Sequence, residues 1–254
     1  MNFAKKLLAA LALVPALAFA NEGGVALDKA PDRSNNMAAL QNGAKLFVNY
    51  CLNCHNASSM RYNRLKDLGL TDEQIKANLL FTGEKVGEMM TTTMRPADAK
   101  AWFGVVPPDL SVISRAKSSG AGSGGDYLYT YLRNFYKDDT RPTGWNNRVL
   151  ENVAMPHVLW ELQGIQTIKT IEVEDPHEHG KMTHQFAGFE QVKPGTMSKL
   201  EFDTAVADLV GYMEWMAEPA AQTRKKLGVA VVLFMALFAV LAWRLNASFW
   251  KEVK

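Results

Sequence analysis

The chain has 254 residues, 48% of them hydrophobic, with 28 basic and 26 acidic side chains and a formal net charge of +2. That near-balance argues against a nucleic-acid partner, which selects strongly basic chains. Two cysteines are too few for a disulfide framework or a four-thiolate metal site, and the length suffices for one core of about 200 residues plus terminal segments.

Lys5 and Lys6 precede an apolar run from Leu7 to Phe19, and Ala18-Phe19-Ala20 supplies a small-x-small pattern. This is the layout of a secretory signal peptide, so residues 1–20 are expected to be removed after Ala20. The run is short for a membrane span and holds Pro15. An exported domain is expected over residues 21–222, beginning as an extended lead-in. A helix is predicted from the N-cap Asn36 to Tyr50, with Leu40, Ala44, Phe47 and Val48 near one face. Gly43, Phe47 and Cys51 are spaced four apart and fall on consecutive turns. Gly43 would admit a second helix at close range, and Phe47 would pack between that helix and whatever Cys51 carries.

The helix leads into Cys51-Leu52-Asn53-Cys54-His55, which holds both cysteines of the chain. C-x-x-C-H is the spacing for covalent attachment of c-type haem. Two thiols two residues apart can each add to one of the two vinyl groups of a haem, and the adjacent histidine is then held under the iron as its proximal ligand. A thioredoxin-like couple would be expected near a βαβ pattern, whereas these flanks read as helical; a zinc site would need a second ligand pair of a kind the chain lacks. Haem of this type is attached outside the cytoplasm, in agreement with the signal peptide.

Further on, Thr71 to Leu80 reads as a short helix capped by Thr71 with Gln74 three residues on. Val106-Pro107-Pro108-Asp109 is a stiff extended segment. Ser118 to Gly125 reads as a flexible loop; no Gly-Lys-Ser/Thr follows, so it is not a phosphate-binding loop. Asp126 is expected to cap an aromatic helix from Tyr127 to Tyr136, and Arg141 to Asn147 is rich in turn residues. A histidine-ligated haem takes a sixth ligand or keeps an open site, and that choice separates electron carriers from haem enzymes and gas sensors. Met155 is the first choice, because Pro156 disfavours helix and stiffens the loop around it. Met94, near Pro96, is the second, and His157 is an alternative nitrogen ligand. His177, Glu178, His179 and His184 read as an acidic surface loop whose spacing matches no metal site. The last soluble helix is predicted from Leu200 to Ala217 with Asp203 near its cap; Phe202, Ala205, Val206, Leu209, Met213 and Met216 form the face expected to cross the first helix.

Leu227 to Trp243 is a run of 17 residues without a charge. At ~1.5 Å per residue it spans about 26 Å, and Arg224, Lys225, Lys226 and Arg244 can snorkel to complete a bilayer crossing. Trp243 and Trp250 suit the interface. An anchor over 223–245 and a cytoplasmic tail over 246–254 follow, with the exported domain on the periplasmic side of a bacterial inner membrane. Basic residues flank the run at both ends, so the orientation rests on the signal peptide rather than on loop charge. Residues 21–222 hold 20 basic and 25 acidic side chains, a net of −5, which suits a basic partner.

These segments coincide with a known pattern. Gly43-x-x-x-Phe47-x-x-x-Cys51 leads into Cys51-x-x-Cys54-His55; Met94-Arg95-Pro96, Pro107-Pro108-Asp109-Leu110-Ser111, Ile113-Ser114-Arg115-Ala116, Asp126-Tyr127, Val153-Ala154-Met155-Pro156 and Trp215-Met216-Ala217-Glu218-Pro219 follow in order before the apolar run. The chain resembles the cytochrome c1 family, the haem-bearing subunits of quinol–cytochrome c oxidoreductase (the cytochrome bc1 complex). The resemblance implies a mainly α, cytochrome c-like haem domain with inserted loops and one C-terminal transmembrane helix. It implies one covalent haem c with iron held by His55 and Met155, and places Pro108, Arg115 and Tyr127 beside it, with a basic residue toward a propionate. Lys117 stands where the family often has a second arginine, and the Gly/Ser loop before Asp126 is longer than usual. The activity implied is one-electron relay within a complex, not catalysis by this chain alone. The partners implied are cytochrome b, the Rieske iron–sulfur protein, cytochrome c or an equivalent acceptor, and the lipid bilayer, in a dimeric complex. The nearest alternative is an anchored c-type cytochrome feeding another terminal oxidase or reductase.

Overall fold

The computed structural model describes residues 25–174 and 182–252, and these divide into two compact units, one ending at Ala217 and one beginning at Glu218. The signal-peptide segment and His177 to His179 lie outside the described residues.

The first unit is built on two crossed helices far apart in sequence. Helix α1 (Met37–Leu46) starts where predicted, with the Asn36 side chain accepting from the Ala39 N–H at 3.1 Å. It does not run evenly to Tyr50. At Phe47–Cys51 it widens into a π-helical turn, closed by the Leu52 N–H on the Phe47 carbonyl. Wide turns of this kind concentrate at functional sites, and this one ends on Cys51.

The partner of α1 is a 19-residue helix, Lys199–Ala217, which is buried at most positions from Phe202 to Met216. Gly43 makes the close crossing possible: a Cβ there would stand 2.1 Å from the Asp208 carbonyl oxygen and 2.7 Å from the Tyr212 Cβ. One turn later Phe47 packs on Tyr212 with ring centroids 5.4 Å apart. The Asp208 carboxylate ties the crossing down, accepting from Arg33 and Asn42 at 2.9 Å each. Asp203 is not the cap of this helix. Ser198 and Glu201 bond reciprocally across its first turn, while Asp203 pairs with Arg133 and Lys199.

Between the crossed helices lie β1 (Ala57–Arg61), a 3-10 turn (Tyr62–Leu68), α2 (Asp72–Asn78), β2 (Met89–Met90), α3 (Pro96–Phe103), α4 (Ile113–Ala116) and α5 (Gly124–Arg133). Helix α2 carries the Thr71–Gln74 capping box read from the sequence. Helix α5 departs from the prediction. Its cap is Ser123, and Asp126 is the third helical residue, returning a bond to the Ser123 N–H. Gly124 and Gly125 therefore belong to a helix, not to a flexible loop. Added Cβ atoms would meet the Ser114 carbonyl at 1.6 Å and the Glu214 carboxylate at 2.2 Å, so these glycines let α5 start hard against its neighbours.

After α5 come a short hairpin, β3 (Phe135–Lys137) with β4 (Trp145–Asn147), the turn α6 (Trp160–Gln163), and a long antiparallel hairpin, β5 (Gly164–Glu174) with β6 (Met182–Pro194). The two crossed helices are therefore α1 and α7, the latter being Lys199–Ala217. The long hairpin is seated by Gln166, whose side-chain amide donates to the Phe135 carbonyl at 2.7 Å.

The second unit is one helix, α8 (Ala221–Phe249), 29 residues long with no buried residue and long and apolar enough to cross a membrane. At ~1.5 Å per residue it measures about 44 Å, longer than the uncharged run alone. Its start is held by Arg224, which donates through two nitrogens to the Glu218 carboxylate.

Candidate functional site

The π-helical turn and the bend after it set the first three site residues. Cys54 N–H and His55 N–H both return to the Cys51 carbonyl, at 3.1 and 2.9 Å, which folds the two thiols and the imidazole into one tight loop. Asn56 braces it from outside: its side chain accepts from the Thr92 N–H and its carbonyl from the Leu110 N–H. Cys51, Cys54 and His55 all line one apolar cavity. Pro107, Pro108, Leu110 and Ile113 line it from the segment before and in α4; Tyr127, Leu128, Tyr131 and Leu132 from α5; Val153, Ala154, Met155 and Pro156 from the loop before α6; and Met213 from α7.

His55 is oriented by a single contact. Its Nδ1–H donates to the Pro108 carbonyl at 2.8 Å, which fixes the tautomer and leaves the Nε2 lone pair available. Burial pushes its pKa below the ordinary histidine range, against smaller upward effects of the Pro108 bond and the Asp109 charge, so the ring is neutral at pH 7. Burial pushes the Cys51 thiol up to about 12, with Cys54 adding to the effect, and burial raises Cys54 as well. The two sulfurs are unbridged. Neither is poised as a thiolate, which sets them apart from a redox-active pair.

Met155 reaches the cavity from a loop held by amide side chains. Asn152, at φ 60°, accepts from Arg141 through its side chain and carbonyl, and donates its N–H to Asn146. Asn147 is fully buried, bonds the Val149 and Leu150 N–H groups and donates to the Tyr131 carbonyl. The Tyr131 hydroxyl donates to the Met155 sulfur at 3.5 Å. Burial raises the Tyr131 pKa, with Tyr127 adding to the shift, so the hydroxyl keeps its proton.

Tyr127 lines the cavity and stacks on Tyr131 at 5.9 Å. Pro108 lines it too and acts through its carbonyl. Arg115 is exposed and is not among the lining residues; Lys117 is, with its ammonium 4.9 Å above the Tyr127 ring. Met94 and His157 are not among the lining residues either. His157 is buried, stacked on Phe135 at 4.9 Å, and burial lowers its pKa to about 4 against a small upward effect of Gln163. Phe47 packs on Tyr212 and is not among the lining residues. Tyr131, Asn147 and Asn152 escaped sequence reasoning. Tyr131 stands four residues after Tyr127, a same-face spacing that could have flagged it; nothing local distinguishes the two asparagines from turn residues. Among the described residues no group of three or more His, Cys, Asp or Glu could hold a metal ion.

The donor set suits a haem. Two thiols stand beside an imidazole with one free lone pair, a thioether lines the same cavity, and the rest of the lining is almost wholly apolar with one basic residue, Lys117.

The sequence profile of the Cytochrome C1 family matches residues 29–253. Cytochrome c1 of Allochromatium vinosum is 42% identical over 96% of each chain, and cytochrome c1 of Rhodospirillum rubrum is 30% identical over 98% of each. A Nitrosomonas europaea protein named ammonia monooxygenase gamma subunit is 45% identical over the whole of both chains. The matched range takes in the C-x-x-C-H loop, the Met155 loop and the terminal apolar helix, and the chain belongs to the cytochrome c1 family, whose members carry one covalently attached haem c and serve as membrane-anchored electron-transfer subunits of bc1-type complexes.

Proposed function

We propose that this chain takes single electrons from the Rieske iron–sulfur protein and passes them to a cytochrome c or equivalent acceptor, on the periplasmic side of a bacterial inner membrane, alongside cytochrome b in a dimeric complex. The observation that carries the reading is the His55 Nδ1–H bond to the Pro108 carbonyl in a cavity that also receives Cys51, Cys54 and Met155. Cys51 and Cys54 would hold the haem, and His55 Nε2 and Met155 Sδ would ligate its iron. When bound, haem supplies a one-electron ferric–ferrous couple.

The rest of the work belongs to the chain. The apolar lining excludes water and disfavours the more highly charged oxidised centre. A thioether paired with an imidazole would raise the reduction potential relative to a bis-histidine site. Lys117 is the cation we assign to a carboxylate of the cofactor, because it lines the cavity with its ammonium over the Tyr127 ring, whereas Arg115 is not among the lining residues. No side chain is required to make or break a substrate bond; the chain orients, shields and presents.

The ferric protein should show the weak red-end absorption of sulfur on iron, and Met155→Ala should lose it and open the reduced site to carbon monoxide. A variant that keeps the band would remove Met155 as ligand. Recovery of the chain with cytochrome b and the iron–sulfur protein after mild solubilisation tests the assembly; recovery alone, with electrons passing directly to an oxidase, would favour the other anchored-cytochrome reading.

A further inference from the structure

We propose that the Tyr131 hydroxyl is a positioning group for the Met155 thioether, setting the electron density of that sulfur and hence the reduction potential of the site; this rests on Met155 being the sixth ligand.

The ring of Tyr131 is fixed from several sides. It stacks on Tyr127 at 5.9 Å with planes 9° apart and meets the Phe135 edge at 5.1 Å. Its backbone carbonyl accepts from Asn147 at 2.8 Å, and Asn147 also holds the loop that leads to Met155. Helix α5 and the methionine loop are therefore tied together beneath the side chains that meet in the cavity. None of this packing needs the phenol oxygen, and a phenylalanine would keep both ring contacts. A hydroxyl facing an apolar lining is costly unless it is bonded. Here it donates to the Met155 sulfur at 3.5 Å, a length suited to sulfur's larger radius.

A thioether sulfur has two lone pairs. With one directed to iron, the other can accept the phenol O–H, whose positive end draws density from the sulfur. The weaker sulfur donor stabilises the electron-poor ferric state less, so the bond raises the potential. It also restricts rotation about the last bonds of a flexible side chain.

The test is a redox titration of the full-length, membrane-bound protein with Tyr131→Phe, alongside Tyr129→Phe, which removes a hydroxyl from the same helix away from the cavity lining. Tyr131→Phe should lower the potential by a roughly fivefold shift in the redox equilibrium, about 40 mV at 59 mV per tenfold, with the sulfur band retained but displaced. Tyr129→Phe should leave both unchanged. Placing 3-fluorotyrosine at position 131, a stronger donor of the same shape, should move the potential the opposite way and guards against a phenylalanine variant that fails to take up haem. An unchanged potential with either replacement at 131, in a protein whose wild type shows the sulfur band, overturns this inference alone. A wild type without the band overturns the Met155 reading on which it stands.

Discussion

Asn147 is fully buried, and its side chain is bonded at both ends: the oxygen accepts from Val149 and Leu150 N–H groups, and the amide donates to Tyr131. It touches no cofactor-binding atom, yet it sets the turn from which the Met155 loop departs. Asn147→Ala would strip the Val149 and Leu150 N–H groups of their acceptor, while the Tyr131 carbonyl keeps the Asn134 N–H; a buried group left unsatisfied costs about 1–3 kcal/mol. We expect a lowered denaturation midpoint and, more tellingly, a fraction of reduced protein that binds carbon monoxide, because the thioether is no longer held in place. A variant as closed to carbon monoxide as the wild type would show that the loop is held by Arg141 and Asn146 alone. The same residue marks a limit of sequence reading. Cys51, Cys54 and His55 are contiguous, so their chemistry is visible in five letters. Asn147 acts through contacts 2, 3 and 16 residues away, and in sequence it is one more polar residue in a turn.

At the scale of elements, the helix crossing was legible and the sheet was not. Gly43, Phe47 and Cys51 share a face by spacing, and α7 shows an apolar face of its own, so both could be paired before any coordinates. The β5–β6 hairpin resisted because its ladder slips twice, between Ile165 and Gln166 and between Lys169 and Thr170. The extra residues, Val192 and Ala187, fall in β6, so Phe186 and Phe189 of that strand stand three apart rather than at the strict period of two that betrays a strand. Gly43→Ala tests the crossing. Its methyl would meet the Asp208 backbone, which cannot swing aside as a side chain could. Overpacking of this kind costs about 1–3 kcal/mol, and at roughly 2–4 °C per kcal/mol for a domain of this size the melting temperature should fall by several degrees; an unchanged melting temperature would mean that the helices separate freely.

Asp126 joins two other elements, the N-terminal lead-in and α5. Its carboxylate accepts from the Ala30 N–H at 2.8 Å, the Lys29 ammonium at 3.0 Å and the Ser123 N–H at 3.2 Å. Burial alone would raise its pKa, but these bonds outweigh burial and hold it below the ordinary carboxylate range. A carboxyl more acidic when folded stabilises fully above its unfolded value of about 3.9 and loses that contribution as pH falls through the folded value. The lead-in should therefore loosen in acid before the crossed helices do, read as protease cleavage ahead of α1 that rises below about pH 4. Asp126→Asn should flatten that pH dependence and show the cleavage already at pH 7.

For the whole molecule, the two compact units divide the electrostatics as well as the architecture. Positive charge gathers in the first turns of α8, at Arg224, Lys225 and Lys226, while residues 21–222 carry a net of −5. An electron acceptor that must dock, react and leave gains most from long-range attraction, which speeds encounter without a tight complex. The Debye length shrinks from about 30 Å at 0.01 M salt to about 8 Å at 0.15 M, so charges spread over a domain act together at low salt and hardly at all at high salt. The second-order rate of oxidation by a basic cytochrome should therefore fall several-fold across that range, while an acidic acceptor should show the reverse slope. A chain ending at Ala217 should keep both the pigment and the slope while losing the membrane, since the acidic excess lies in the first unit. Rates that do not change with salt for either acceptor would place the docking face on the apolar rim of the cavity, at exposed lining residues such as Val105 and Leu150, and would make shape rather than charge the basis of partner choice.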